Sequence, residues 1–277
     1  MPTALSPRTP VRPAPCRPRR SSDVSLRPAL IAVQFLTRLP IRLEPPPAGR
    51  EVGLSLLWYP AVGLLLGLLL WVAGVLLRPL AAPLAAAIVL ALWVACTGAL
   101  HLDGLADTAD AWVGGRGDRE RTLAIMKDPY SGPIAVAAVV CLLLVKFGAL
   151  SALRDALGTA PWSDLHFACG CVLPPLLARA AAVVLFAHTP YVRAQGIGAD
   201  LSEYQSRAGA RWVVPLTALA VIAACGRYGL LAIAGAVTVY LIMRRAFVRR
   251  LGGMTGDCTG ALIEVTETLT LVILAAS

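Results

Sequence analysis

Residues 54–77 read LSLLWYPAVGLLLGLLLWVAGVLL, with no charged side chain among them. As a helix rising 1.5 Å per residue this stretch reaches about 36 Å, enough to cross the roughly 30 Å hydrocarbon core of a bilayer. Such a run decides the fold class. A segment in lipid must satisfy its own backbone N–H and C=O groups, and a helix does so within one segment. A soluble protein with deeply buried helices is the competing interpretation, and uninterrupted apolar runs of this length argue against it.

Outward from this run the pattern repeats. A second span is expected over 80–100, after the Arg78-Pro79 turn, a third over 132–153 and a fourth over 167–188. Residues 212–243 are too long for one crossing, and CGRYG at 225–229 divides them into a fifth and a sixth. A seventh follows at 258–276. Composition agrees: 57% of the chain is hydrophobic and 15% charged, against about 45–50% and about 25% in soluble domains. The expectation is an all-α, polytopic membrane bundle of about seven transmembrane helices. Residues 1–28, rich in Pro, Arg and Ser, lack the apolar stretch of a secretory signal and predict a disordered basic tail. ALIAVQFLTRLPIR (29–42) predicts a short amphipathic helix at the interface, and 29–277 one membrane-embedded catalytic domain.

The net charge of +9 has a topological explanation. With the N-terminus in the cytoplasm, segments 1–53, 101–130, 189–211 and 244–257 hold twenty of the 25 Lys and Arg. The external turns hold three, Arg78, Arg154 and Arg227, which is a strong positive-inside bias. No nucleic-acid-binding motif accompanies the charge, so nucleic acid is excluded as a partner and the lipid bilayer is implied. The seven cysteines sit mostly in or beside apolar runs and read as small core residues. No internal repeat is evident, which weighs against an inverted-repeat transporter.

Polar chemistry is concentrated in the cytoplasmic segments. In GALHLDGLADTADAWVGG (98–115), steps of four and seven residues bring Asp103, Asp107 and Asp110 within an arc of about 60° on a helix. Three carboxylates that close repel one another, and against apolar spans they also lose hydration. A hard divalent cation relieves both costs, and carboxylate oxygens suit Mg²⁺. A solvated loop helix is the plainer alternative, but the neighbours Leu102, Leu105, Ala106, Ala109, Ala111 and Trp112 are apolar. RTLAIMKDPYSG (121–132) offers Arg121 and Lys127 as diphosphate contacts and Asp128 as a further metal ligand. In RRLGGMTGDCTGALIEVTETL (249–269), Asp257 opens the last span as another metal ligand or a neighbour of one. Gly253 and Thr255 lie in a turn that can present N–H groups to phosphate. Glu264 and Glu267 fall inside the membrane, where carboxylates face the bundle interior. Arg179 within the fourth span needs either a carboxylate or a substrate phosphate as partner. His101 and His188 fall at cytoplasmic span ends, where a satisfied structural role is the plainer reading; the first is a candidate general base or phosphate contact and the second a substrate contact. His166, on the far side, is set aside. Tyr191, Arg193 and GIG (196–198) form a weaker polar surface. Together these residues predict a membrane enzyme with a cytoplasm-facing, Mg²⁺-dependent site for a phosphorylated substrate.

Six motifs in order carry a resemblance: FLTRLPI (35–41), YPAVGLLLG (59–67), HLDGLADTADA (101–111), RTLAIMKD (121–128), HTPYVRAQGIG (188–198) and LGGMTGDCTGALIE (251–264). The chain from about residue 28 to its end resembles the cobalamin synthase family, the adenosylcobinamide-GDP ribazoletransferases. The resemblance implies a Mg²⁺-dependent enzyme of the prokaryotic inner membrane, compatible with a homo-oligomer. Its substrates would be adenosylcobinamide-GDP and α-ribazole or α-ribazole 5′-phosphate. A ribose hydroxyl would attack the phosphorus next to the cobinamide aminopropanol, and GMP would leave. One departure stands out. After IMKD the family usually has Ser-Arg-x-Gly-Thr; here Pro129, Tyr130 and Pro133 replace Ser, Arg and Thr, and one positive charge is missing.

Two other classes make different demands. A CDP-alcohol phosphatidyltransferase would share the metal chemistry, but its signature Asp-Gly-x2-Ala-Arg-x8-Gly-x3-Asp-x3-Asp is not met, since after Asp103-Gly104 the Ala and Arg positions are held by Asp107 and Thr108, and no Arg follows Ala106. An ion-coupled transporter would use Glu264, Arg179 and Lys146 as a relay. A purely structural subunit leaves the aspartates unexplained.

Overall fold

A computed structural model describes residues 26–158 and 163–277. Most of the expected N-terminal tail, residues 1–25, lies outside the described residues. Every regular element among the described residues is a helix, apart from a single bridge pairing Tyr191 with Met254. The six cysteines within it are all free.

Helix α1 spans Arg27–Leu36 and buries Ile31, Ala32 and Leu36. It ends earlier than expected. The chain from Thr37 is non-helical, and Pro40 disfavours helical backbone in the residue before it. Helix α2 (Gly49–Ser55) and a 3₁₀ turn (Leu56–Trp58) lead into α3 (Tyr59–Leu76). The 28 residues Gly49–Leu76 are apolar enough to cross a membrane, as are α7 (Pro133–Asp155), α8 (Ser163–His188), α10 (Arg207–Leu251) and α11 (Gly256–Ala275). α8 is the central helix: nearly all its side chains from Phe167 to Phe186 are buried. The outer helices leave large apolar side chains exposed, among them Leu65 and Leu69 on α3, Val140 and Leu144 on α7, and Leu241 and Ile242 on α10. Water would not tolerate that belt at this density, whereas lipid does.

The 45 residues of α10 would make a rod of about 67 Å, twice a bilayer. They do not form one. Gly226 takes φ 51° and ψ −122°, a conformation open to glycine, and the helix breaks there. The two arms lie against each other: a Cβ on Gly229 would fall 2.6 Å from the Val221 carbonyl oxygen. The near ends of both arms meet the end of α8, through Gln205 Nε2 to Phe186 O (2.8 Å) and Arg244 Nη2 to His188 O (2.8 Å). The division expected at 225–229 is therefore a helical hairpin.

The second expected span ends in a bend. α4 (Ala82–Thr97) turns by 87° into α5 (Leu100–Gly114), through Gly98 and Ala99, both with positive φ. The polar segment after it folds as α5 and the short α6 (Arg119–Ile125); α9 (Ile197–Tyr204) lies in the other polar segment.

The loops sort to two ends. At one end Arg78 Nη2 meets Asp164 Oδ1 (2.7 Å), Arg154 Nη2 donates to Leu77 O (3.2 Å) and His166 stacks on Tyr228. At the other, Arg119 Nε donates to Leu251 O (2.8 Å), Arg250 Nη2 to Trp112 O (2.6 Å) and Arg193 Nη2 to Met126 O (3.1 Å). The turns carrying Arg78, Arg154 and Arg227 thus share one end, and the segments holding the aspartates share the other.

Candidate active site

The site begins with two glycines. Gly104 on α5 and Gly260 on α11 let the two backbones touch. A Cβ on Gly104 would stand 2.9 Å from the Asp257 carbonyl oxygen, and one on Gly260 would stand 3.1 Å from that of His101. A side chain at Gly104 would force the helices apart, and even a methyl group at Gly260 would crowd the facing backbone. Because Gly104 follows Asp103 and Gly260 lies one turn after Asp257, this crossing brings Asp257 beside Asp103 and Asp107. Burial pushes the Asp107 carboxyl up to about 6, repulsion from Asp103 and Asp257 adds to the rise, and Arg193 opposes it. Arg193 Nη2 is bound to Asp257 Oδ2 at 2.6 Å.

Asp103 and Asp257 line a cavity of about 150 Å³ together with His101, Tyr59, Gly256 and Thr259. Its volume suits a phosphate-sized group, not a macrocycle. A larger groove, about 740 Å³ between α3, α8 and α10, is lined almost wholly by apolar side chains and has no ionisable group beyond Cys225. Of these two, only the smaller is lined by carboxylates and an imidazole.

The other expected site residues are placed as follows. Asp110 accepts hydrogen bonds from the backbone N–H groups of Gly132 and of Ala135 (2.8 Å), so its carboxylate caps the first turn of α7. Asp128 is exposed and accepts from Tyr130 N–H (3.0 Å) in a turn. Arg121 and Lys127 are exposed on and just after α6; Lys127 follows Met126, whose carbonyl holds Arg193. His188 is exposed and hydrogen-bonds Val184 O (3.0 Å) within its own helix. Gly253 packs against the Pro190 carbonyl, where Met254 N–H donates to Pro190 O (2.8 Å) and Val192 N–H to Met254 O (2.9 Å). Thr255 is fully buried and its hydroxyl caps α11 by accepting from Cys258 N–H (3.2 Å). Arg179 is 1% exposed and paired with Glu267 rather than opened toward the cavity.

The sequence reading gave Arg193, which is bound to Asp257, only a place in a weaker polar surface, and did not single out Tyr59, whose buried hydroxyl has no partner among the described residues. HTPYVRAQGIG and YPAVGLLLG carried the only signal for them.

Do these residues suit a cation? Among the described residues no three carboxylate, imidazole or thiol groups converge into a ready-made metal cage. Mg²⁺ seldom has one; it keeps waters and takes one or two carboxylates together with substrate phosphates. Asp103 and Asp257, which line a cavity of phosphate size, match that requirement, and Asp107 stands close enough to repel both.

The cobalamin-5-phosphate synthase family model matches residues 28–275. The chain belongs to this family. Its relatives include the adenosylcobinamide-GDP ribazoletransferases of Pseudomonas entomophila (52% identical over 90% of this chain and 98% of the relative) and Stutzerimonas stutzeri (53% over 90% and 97%). That of Pseudomonas putida strain GB-1 is 51% identical over 90% of this chain and 98% of the relative. No solved structure matches the chain. The match to this cobalamin synthase family starts one residue into α1 and ends with the last residue of α11, so it covers every helix described above.

Proposed function

We propose that this protein transfers the phosphocobinamide moiety of adenosylcobinamide-GDP to α-ribazole or α-ribazole 5′-phosphate and releases GMP, the last assembly step of vitamin B12. The reaction takes place at the α5–α11 crossing, at the cytoplasmic face of a prokaryotic inner membrane. The observation that carries the reading is that crossing, which turns two separate acidic motifs into one carboxylate cluster on a phosphate-sized cavity. The sidedness rests on the positive-inside bias and on the common end shared by the basic segments. Seven crossings fit the chain path, with the α10 hairpin counted as two and the short α4 as one.

Asp103, Asp107 and Asp257 would hold Mg²⁺ with the substrate diphosphate. The cation, when bound, neutralises the diphosphate and polarises its phosphorus. Asp110 orders the start of α7 and holds its own helix in place. Arg193 offsets the carboxylate charge and orients Asp257, while Lys127 and Arg121 are exposed to meet the outer phosphate. The large corrin stays outside the cavity and only the diphosphate enters. As the ribose oxygen bonds to phosphorus, the P–O bond to GMP breaks, and the hydroxyl proton passes to a site carboxylate. The test is the purified protein with adenosylcobinamide-GDP, α-ribazole 5′-phosphate and Mg²⁺. GMP and a complete corrinoid are expected in equal amounts, and EDTA should abolish both. No product from either form of ribazole overturns the reading.

A further inference from the structure

Beneath the carboxylates, five ionisable side chains are buried inside the bundle: His101, Lys146, Arg179, Glu264 and Glu267. Lys146 Nζ donates to Glu264 Oε2 and Glu267 Oε2, both at 2.6 Å, and lies 4.6 Å from the centre of the Trp93 ring. Arg179 Nη1 donates to Glu267 Oε1. Two cations and two carboxylates therefore satisfy one another, as groups at membrane depth must. Two guanidinium nitrogens are left over: Nε has no partner among the described residues, and Nη2 lies 3.4 Å from Nδ1 of His101.

That contact has a single hydrogen assignment. A guanidinium has no acceptor and stays protonated, so Nδ1 must be the bare, accepting nitrogen. An imidazole with a bare Nδ1 carries its hydrogen on Nε2. In the structure Nε2 is buried and has no hydrogen-bond partner among the described residues. Its ring is 3% exposed and lines the same cavity as Asp103 and Asp257. A buried donor with no acceptor is costly, and such a group points to a missing partner.

We infer that His101 is a hydrogen-bond donor to a phosphate oxygen of the substrate, and that Arg179, anchored on Glu267, is the positioning residue that keeps its hydrogen on Nε2. This rests on the cavity being the diphosphate site. Of the two roles expected for His101, general base and phosphate contact, it selects the second and gives it a tautomer. The nitrogen toward the cavity already carries a hydrogen, and the bare one is turned to a guanidinium. The ribose hydroxyl's proton is left to a carboxylate. Arg179, first expected to grip phosphate directly, reaches it through the imidazole.

The tautomer is read by ¹⁵N NMR of ring-labelled protein without substrate. The chain has three histidines, so loss of one signal in His101→Gln assigns it. The expected spectrum has an unprotonated Nδ1 and a protonated Nε2 for His101, and Arg179→Met mixes the two tautomers. A protonated Nδ1 in the wild type overturns the proposal. The second arm is kinetic. Gln places an amide N–H where Nε2 stands and Asn where Nδ1 stands, so His101→Gln should stay within about tenfold of wild type while His101→Asn loses roughly 10²–10³-fold in kcat. Equal losses in the two variants overturn the donor role even if both fold. A wild type that releases no GMP, with the tautomer as expected, sinks the functional reading alone.

Discussion

Asp107 shows how much a single residue can reveal. Its place in the D-x3-D-x2-D spacing was legible, and so was its helix face. Its titration was not, because that depends first on burial in the folded bundle, then on Asp103, and then on Asp257, 150 positions away in the chain. With the carboxyl raised to about 6, the proton competes with a metal ion below that pH. The sign follows: the neutral form gains as pH falls, so apparent Mg²⁺ affinity should drop steeply between pH 7 and pH 5 in a titration of activity against Mg²⁺. In metal-free protein the ionised carboxylate is the disfavoured form, so its contribution to stability is full below the ordinary carboxylate range and is lost as pH rises through about 6. A Mg²⁺ requirement that does not change across that window contradicts the assignment. Thr255 and Gly253 teach the converse. Motif position suggested phosphate contacts, yet Thr255 caps α11 and Gly253 admits the Pro190 backbone. Small residues in a motif serve packing as readily as ligands, and composition alone does not separate the two.

At the level of elements, periodicity and punctuation sufficed for most of the helices. CGRYG placed the α10 hairpin, and Gly226 is where the backbone breaks. What periodicity could not supply was which helices touch. The α5–α11 crossing depends on Gly104 meeting Gly260, a contact 156 residues apart, and single-sequence spacing carries no record of it. The crossing can be tested without touching a carboxylate. Gly260→Leu should separate the helices, move Asp257 away from Asp103 and lower kcat at least 10²-fold, as misplacement by about 1 Å does in other sites. Helical content by circular dichroism should be unchanged. A variant of near wild-type activity would show that the two acidic motifs do not act together.

Across the whole molecule, two chemistries are stacked along one axis. A polar end holds the carboxylates, and directly beneath it a neutralised ion network sits within an apolar column whose outer faces are Leu, Val and Ile. The charge bias in the sequence had already sorted the loops into two sets, and the contacts place those sets at opposite ends. The depth of the network was legible from Lys146, Arg179, Glu264 and Glu267 lying in apolar runs; its pairing was not. The central claim is that Asp257 from the last helix and Asp103 from α5 form one metal-dependent transfer site, with Asp110 serving a helix instead. The direct measurement is GMP release from adenosylcobinamide-GDP, at saturating ribazole phosphate and Mg²⁺, by Asp103→Asn, Asp257→Asn and Asp110→Asn protein. The account predicts losses of roughly 10³-fold or more in the first two, where a charge at the transferring phosphoryl group is removed. It predicts a much smaller loss in the third, with thermal stability lowered by about 1 kcal/mol through the weakened cap. Asp257→Asn protein as active as wild type, or Asp110→Asn as dead as Asp103→Asn, would contradict it.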